Sequence, residues 1–271
     1  MMATLEVYNT IHKLIQSIYS SRLKIQILLA VSQAPKSLSD LREVTGSTSQ
    51  ALIPKIRSLE RFGFIEGLDK GYILTPIGKL VVAKMENFIL TMGVINKHKE
   101  FWSNHDIEGI PQAFLDDIGD ILDSELKFDT TTDILHVYSE YLKMLKEATS
   151  ISGISQVMSP GLAEALAERV LAGIPVELIV SKTSIDFLLK DPYIQQLRML
   201  ASYPNFHLWV IEEPLRIGFS VTDRHLSLGL NRRDGVMYDA STDLSSSDPK
   251  AVAWGHRLFN YYKERSTTLI L

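Results

Sequence analysis

The chain has 271 residues, of which 45% are hydrophobic and none is cysteine, and its formal net charge at pH 7 is −4. The lack of cysteine excludes disulfide bonds, thiolate metal sites and cysteine-based redox switches. No apolar run is long enough to span a bilayer and no signal peptide is recognisable, so we expect a cytoplasmic protein without membrane contact. The length predicts two domains.

The charge is divided unevenly along the chain. Residues 1–100 contain 13 Lys and Arg against 8 Asp and Glu, a net charge of +5, whereas the remaining residues carry −9. A basic N-terminal region in an acidic chain indicates an anionic partner at that end. An ordinary solvated surface is the alternative explanation of an excess of this size.

The first part of the chain predicts a series of helices. Apolar residues recur with a helical period over residues 5–19, and residues 22–31 predict an apolar core helix. Ser37 and Asp40 predict the N-cap and acidic first turn of a short helix that ends at Gly46. We expect the first of these helices to pack against the others or to build a dimer interface.

The next helix is predicted to begin at Ser47. One of its faces is apolar, with Leu52, Ile56 and Leu59. The opposite face is short and polar at its start and basic further on, with Gln50, Pro54, Arg57 and Arg61. An amphipathic helix of this kind suits the DNA major groove. Pro54 removes a backbone hydrogen bond, so we expect the helix either to bend or to begin after Ser47.

A hairpin is predicted to follow this helix. Gly63 is expected to end the helix, and two short strands are predicted at residues 64–68 and 71–75. The sequence Asp69-Lys70-Gly71 between them is a tight-turn signal. Lys70 would therefore lie at the tip of the hairpin, where a DNA phosphate is within reach.

The segments 59–65 (LERFGFI) and 71–78 (GYILTPIG) resemble the motifs of winged helix-turn-helix transcription regulators. The rest of the chain resembles archaeal, methanogen-type regulators that add a C-terminal sensor domain. It is also distantly similar to the TrmB regulators, whose effector domain is related to the phospholipase D fold. The resemblance implies a homodimeric DNA-binding transcription regulator. The expected contacts are Ser49 and Gln50 to bases, and Lys55, Arg57 and Lys70 to phosphates.

A long helix with a broad apolar stripe is predicted from Pro76 to about Trp102, and we expect it to pack against a second subunit or within its own. Residues 103–133 hold closely spaced carboxylates, which we interpret as the solvated face of a helix rather than a metal site.

We expect an α+β protein with a winged helix-turn-helix domain at 1–100, a helical bridge at 101–131 and an α/β sensing domain at 132–271.

In the C-terminal half, helical and β-like segments alternate, which predicts an α/β layer with a mixed sheet. Helices are predicted at 134–148, 161–172, 185–202 and 249–265, and strands at 150–157, 175–181 and 206–211. Residues 216–221 and 225–230 predict a hairpin with its turn at 222–224.

Phospholipase D-like enzymes use a His-x-Lys pair, but His225 is followed by Ser227 where the lysine would stand, and the segment occurs once. No other catalytic motif is present. We therefore expect a non-enzyme without cofactor or metal. The alternatives are a phosphodiesterase that uses His225, and a winged helix that serves only as a protein interaction module.

A sensor function is the remaining hypothesis for this half. Ligands of open α/β domains bind beyond the carboxyl ends of the strands, where Ser159 and Lys182 are predicted. Arg216, His225 and Arg232 are expected to converge there from the hairpin. Three cations in one crevice favour a small anionic effector, whereas unrelated surface charges are the alternative.

Overall fold

The computed structural model describes residues 3–157, 159–191, 193–234 and 237–269. Contacts divide the chain into two compact units, Met1–Ile89 and Leu90–Leu271. Within the described ranges, no helix combines the length and the apolar character that crossing a bilayer requires.

The first unit is a helical bundle followed by a two-stranded hairpin. Its elements are α1 (Thr4–Tyr19), α2 (Arg22–Gln33), α3 (Leu38–Thr45), α4 (Ser49–Arg61), β1 (Ile65–Leu68), β2 (Gly71–Leu74) and the start of α5 (Pro76–Lys97). The predicted N-cap and acidic first turn of α3 are confirmed and form a capping box, because Ser37 Oγ accepts the Asp40 amide at 3.2 Å and the Asp40 carboxylate accepts the Ser37 amide at 2.8 Å. This helix–helix–helix–hairpin order is the winged-helix arrangement that was predicted.

Helix α4 begins at Ser49, two residues later than predicted, because Thr48 rather than Ser47 is the N-cap residue. The Thr48 hydroxyl accepts the Ala51 amide at 3.4 Å. The chain remains helical through Pro54. The predicted apolar face is confirmed, since Leu52, Ile56 and Leu59 are all buried in the core of the first unit.

The end of α4 and the hairpin are set by two glycines with positive φ. Gly63, at φ +70°, ends the helix, and the amide of Phe64 then donates to the carbonyl of Leu59 at 3.0 Å. The hairpin register pairs Leu68 with Gly71 and leaves a two-residue turn, as predicted. Gly71, at φ +122°, lies so close to Lys36 that a Cβ atom would come within 2.6 Å of its backbone.

The second unit is built on one eight-stranded mixed sheet. Its helices are α6 (Lys99–Asn104), α7 (Gln112–Asp116), a 3-10 helix (Ile118–Ile121), α8 (His136–Glu147), α9 (Pro160–Leu171), α10 (Lys182–Leu188), α11 (Tyr193–Ala201) and α12 (Pro249–Lys263). Its strands are β3 (Glu125–Phe128), β4 (Ile151–Ser155), β5 (Val176–Ser181), β6 (Phe206–Ile211), β7 (Ile217–Thr222), β8 (Leu226–Leu230), β9 (Thr242–Ser246) and β10 (Thr267–Thr268). The strand order is β10-β6-β5-β4-β7-β8-β9-β3, with β4, β5 and β6 parallel to one another and the other neighbours antiparallel.

Both faces of this sheet are covered. On one face, strand residues such as Phe219 and Leu228 share a hydrophobic cluster with Trp254 of α12 and with Phe101 and Phe114 from the segment that precedes β3. On the other face, residues of β4, β5 and β6 pack against α8 to α11. The predicted α+β class and mixed sheet are confirmed.

The structure departs from the predicted elements where contacts between residues distant in sequence determine the backbone conformation. The helix expected to reach Trp102 breaks at His98, which leaves helical geometry and whose ring nitrogen contacts the Ser124 carbonyl at 3.0 Å. The segment expected as a helical bridge also supplies strand β3, which pairs with β9. The single helix expected over 185–202 is two helices, and the first begins early because Ser181 caps it.

Replacing Pro54 with alanine should stabilise the first unit, because alanine restores an amide donor inside α4. We expect the free energy of unfolding to rise by about 1–2 kcal/mol, since proline also restricts the unfolded chain and this offsets part of its cost in a helix. Urea unfolding followed by circular dichroism measures the change. Pro76→Ala is the control, because Pro76 begins α5, where no amide is needed. Equal effects of the two substitutions would contradict the prediction.

Candidate functional site

The outward face of α4 is polar and basic. Gln50 in its first turn and Arg57 further along are exposed, while Ser49 and Lys55 are half-buried. Lys70 is exposed at the tip of the hairpin, as its position in the turn predicts. Four of the five predicted DNA-contact residues therefore share one helix, and the fifth is carried by the hairpin that directly follows it.

A buried lysine adds to the positive charge behind this face. Lys24 of α2 is only 6% exposed, and its ammonium group donates to Ser17 Oγ at 2.7 Å and lies 5.3 Å from the centre of the Phe62 ring. Desolvation lowers its pKa, and the nearby charges of Lys55 and Arg61 lower it further. Sequence reasoning missed Lys24 because it lies within an apolar helix, and the repulsion indicates that this side of α4 would gain from a bound anion.

The residues predicted to bind an effector are not brought together. Because β7 and β8 are antiparallel, Arg216 and Arg232 lie at one end of the hairpin and His225 lies at the other. Arg216 pairs with Asp106 and Glu108, and Arg232 lies 3.7 Å from Asp239. The predicted convergence of three cations is therefore wrong.

Lys182 is also exposed and lies 3.7 Å from Glu212. A cavity in the second unit is lined by Ser159 but by none of the other four predicted effector residues. That cavity has a volume of about 360 Å³ and lies between α8 and the sheet. Its lining residues are Asp129, Leu135, Val137, Tyr138, Tyr141, Ile154, Ser155, Gln156, Val157, Ser159, Leu162, Gly218, Phe219, Ser227, Tyr238, Ala240, Ser241, Thr242 and Asp243. We call this space the tyrosine cavity.

The tyrosine cavity exists because strands β7 and β8 carry small residues on one face. Their large apolar side chains alternate onto the opposite face and belong to the cluster with α12. The residues between them are Gly218, Ser220, Ser227 and Gly229, and all four are buried. The ring of Tyr238 lies over the two glycines, since a Cβ atom at Gly218 or Gly229 would fall within 2.8 or 2.1 Å of it.

The polar groups of the cavity are hydrogen-bonded to one another. Tyr138 and Tyr141 place their hydroxyl groups 2.8 Å from Ser159 Oγ and 2.7 Å from Ser220 Oγ, respectively. The hydroxyl of Ser227 donates to the carboxylate of Asp243 at 2.8 Å. Burial raises the pKa of Asp243 to about 6 and that of Tyr141 to about 12. Asp243 is therefore a buried carboxylate whose charge is poorly compensated.

A second cavity, of about 260 Å³, shares Val137, Tyr141, Ser227 and Asp243 with the first. It contains His225, and also Lys127, which is bound to Glu140 at 3.3 Å. Across the described ranges, no group of three or more His, Asp or Glu side chains is arranged to hold a metal ion.

Sequence reasoning missed the tyrosine cavity, although one signal in the sequence pointed to it. The predicted hairpin alternates large apolar residues with Gly and Ser, a pattern that leaves room above the sheet when both faces are buried. Strand β9 is not recognisable in the sequence, because Asp243, which lines both cavities, and Ser245, which lines the second, interrupt its apolar pattern.

Replacing Asp243 with asparagine should alter the pH dependence of stability. The pKa of Asp243 is about 6 in the native protein and about 4 in an unfolded chain. Its ionisation therefore opposes folding above pH 6, and this cost is relieved as the pH falls towards 4. The stability gained by Asp243→Asn should be larger at pH 7.5 than at pH 4.5, by about 2 kcal/mol.

Urea midpoints at the two pH values measure this difference. Asp186→Asn, at an exposed position on α10, removes one charge outside both cavities and is the matched control. The wild type and both variants retain Lys127 and His225, which share the second cavity with Asp243, so these two side chains do not differ between the proteins compared. A gain for Asp243→Asn that does not change with pH would contradict the prediction.

Comparison with known proteins identifies one family across both units. The model described as "Methanogenesis regulatory protein FilR1, N-terminal domain" matches residues 12–93, and the model of the FilR1 middle domain matches residues 134–265. The methanogenesis regulatory protein FilR1 of Methanothrix harundinacea (strain 6Ac) is 30% identical over 253 residues, which are 92% of this chain and 56% of that protein. The chain thus spans about half the length of this relative.

Similar solved structures are more distant. TrmBL2, an archaeal chromatin protein, is 15% identical. The match covers 96% of this chain and 100% of the TrmBL2 chain, with a TM-score of 0.42. Phosphatidylserine synthase of Haemophilus influenzae Rd KW20 is 12% identical. The match covers 54% of this chain and 39% of the synthase, with a TM-score of 0.40. The resemblance to archaeal regulators is confirmed at the level of sequence, because two successive domain models of one family match the two units in order. The chain belongs to the FilR1 regulatory protein family.

Proposed function

We propose that this chain binds duplex DNA through α4 and the β1–β2 hairpin and regulates transcription, and that its second unit receives a small-molecule signal. The observation that supports DNA binding most directly is that α4 has a buried apolar face and an exposed face with Gln50 and Arg57. Membership of a family whose members are named regulatory proteins supports the same function.

The dimensions and chemistry of α4 suit the major groove. A helix with its side chains is about 10–12 Å across, and the groove is about 12 Å wide. Gln50 in the first turn, next to Ser49, has the amide group that pairs with adenine. Arg57, Lys55 and the hairpin-tip Lys70 would contact phosphates, which fix the orientation of the helix without reading sequence.

A homodimer is part of this proposal. On α1, Leu5, Tyr8 and Ile11 are exposed at a spacing of three residues, and on α5 the side chain of Leu80 is 74% exposed. Phe88, also exposed, contacts Tyr19 at the end of α1 through an edge-on ring arrangement. An apolar surface of this kind would be covered by the same surface of a second copy, as in other two-fold DNA-binding proteins.

We infer that the second unit has no catalytic role. His225 lies before β8, and two positions later Ser227, rather than a phosphate-binding lysine, donates its hydroxyl to the buried Asp243. The alternative of a phosphodiesterase would be supported by hydrolysis of bis(4-nitrophenyl) phosphate that disappears in His225→Ala.

Arg57→Ala should weaken DNA binding for all sequences to a similar extent, because a phosphate contact carries no sequence information. The plot of log affinity against log salt should become shallower by about one unit. Binding to the DNA upstream of the gene and to scrambled DNA would be measured across a salt series. Lys13→Ala, which removes an exposed charge from α1, is the control.

If Arg57→Ala and Lys13→Ala behave alike, α4 is not the DNA-binding element. A folded wild-type protein that binds neither DNA at low salt would favour the protein interaction module instead.

Leu80→Gln should shift the protein from dimer to monomer, because it places an amide in the proposed apolar interface. Sedimentation equilibrium measures the dissociation constant, which we expect to rise at least tenfold. Lys79→Gln changes the adjacent exposed residue and is the control. An unchanged dissociation constant for Leu80→Gln would place the interface elsewhere.

A further inference from the structure

We infer that the tyrosine cavity binds a small organic cation, an amine with an apolar body whose ammonium group meets Asp243. The inference rests on the proposed function only in assigning this molecule the role of effector. It replaces the anionic effector that the sequence favoured, because Lys182, Arg216 and Arg232 lie outside this cavity and are paired with carboxylates.

The charge of the lining is the first argument. Two carboxylates, Asp129 and Asp243, line the cavity, whereas the described lining residues include no lysine, arginine or histidine. Asp129 accepts the Val137 amide at 2.9 Å and so has a structural role at the start of α8. Asp243 is 8% exposed and, among the described residues, forms no ion pair, since the nearby Lys127 is bound to Glu140. A ligand cation would supply the missing opposite charge.

The aromatic residues are the second argument. Tyr138, Tyr141 and Tyr238 all line the cavity, and the faces of aromatic rings attract ammonium groups. The hydroxyl groups of Tyr138 and Tyr141 are held by serine hydroxyls, which fixes both rings before a ligand arrives. Gly161 leaves room for Tyr138, because a Cβ atom there would lie 2.5 Å from its hydroxyl oxygen.

The apolar part of the lining defines the rest of the ligand. Leu135, Val137 and Leu162 provide a surface without hydrogen-bonding groups. The cavity volume, about 360 Å³, lies at the lower end of the range of small-molecule sites, which is about 300–1,000 Å³. A compact amine with an aromatic or aliphatic body fits both properties.

One feature of the cavity favours an anion instead. Helix α9 begins at its rim, and the amino end of a helix carries a partial positive charge. Ser159 already caps this end, since its Oγ accepts the Leu162 amide at 3.2 Å and contacts Tyr138. A capped helix end contributes about half a unit charge, whereas Asp243 is a full buried charge, so we expect the cation to be preferred.

Three probes with the same carbon skeleton separate these possibilities: 2-phenylethylamine, which is cationic at pH 7.5, 2-phenylethanol, which is neutral, and phenylacetate, which is anionic. Binding to the full chain without DNA would be measured by calorimetry and by the shift in melting temperature. We expect the amine to bind at least tenfold more tightly than phenylacetate, with the alcohol between them.

Variants test whether Asp243 is responsible. Asp243→Asn should bring the amine and the alcohol to within about twofold of each other, whereas the exposed control Asp186→Asn should keep the wild-type ratio. Leu162→Trp, which fills the cavity, should abolish binding of the amine, and circular dichroism would verify that each variant is folded.

The inference is overturned if phenylacetate binds as tightly as the amine, if Asp243→Asn leaves the preference unchanged, or if none of the probes binds at millimolar concentration. These outcomes are independent of the proposed function, because the probes are tested without DNA. A protein that binds DNA in the Arg57 salt series but fails here would still be a regulator, with a different effector.

Discussion

The alternation of side chains along β7 and β8 is the constraint on which the second unit depends. Both strands lie inside a sheet that is covered on both faces, so every second residue must suit a different environment. One set, including Phe219 and Leu228, packs with Trp254 of α12. The other set consists of small residues, Gly, Ser and Thr, and this leaves the space in which Tyr238 and the tyrosine cavity are accommodated.

The buried charge of the cavity follows from the same constraint. Asp243 lies on β9, on the face that the small residues of β8 leave open, and Ser227 on the neighbouring strand supplies its hydrogen bond. A carboxylate in this position costs free energy unless a partner compensates it. Such a cost is common at functional sites, where a ligand provides the interaction that the protein itself lacks.

The first unit uses amphipathicity in a simpler way. Leu52, Ile56 and Leu59 hold α4 against the core, so that its other face is presented to solvent in a fixed orientation. The hairpin is held to the segment before α3, because Lys36 and Tyr72 exchange backbone hydrogen bonds of 3.1 and 2.8 Å. In the proposed regulator, an effector would alter DNA affinity only if it binds two conformations of the protein unequally.

The sequence by itself determined the winged helix and the α/β character of the second unit, because their signals are local. The capping box at Ser37, the helix stop at Gly63 and the turn before Gly71 each depend on a few neighbouring residues. The same is true of the polar and basic face of α4, which follows from the helical period alone.

Only the tertiary structure decided the features that depend on distant partners. The break at His98 and the strand pairing of β3 with β9 are set by contacts across the sheet unit. Antiparallel pairing separates His225 from Arg216, although only eight residues lie between them in the chain. The tyrosine cavity likewise joins residues from 129 to 243, and their common environment arises only when the sheet assembles, because burial and charge compensation are properties of the packed chain.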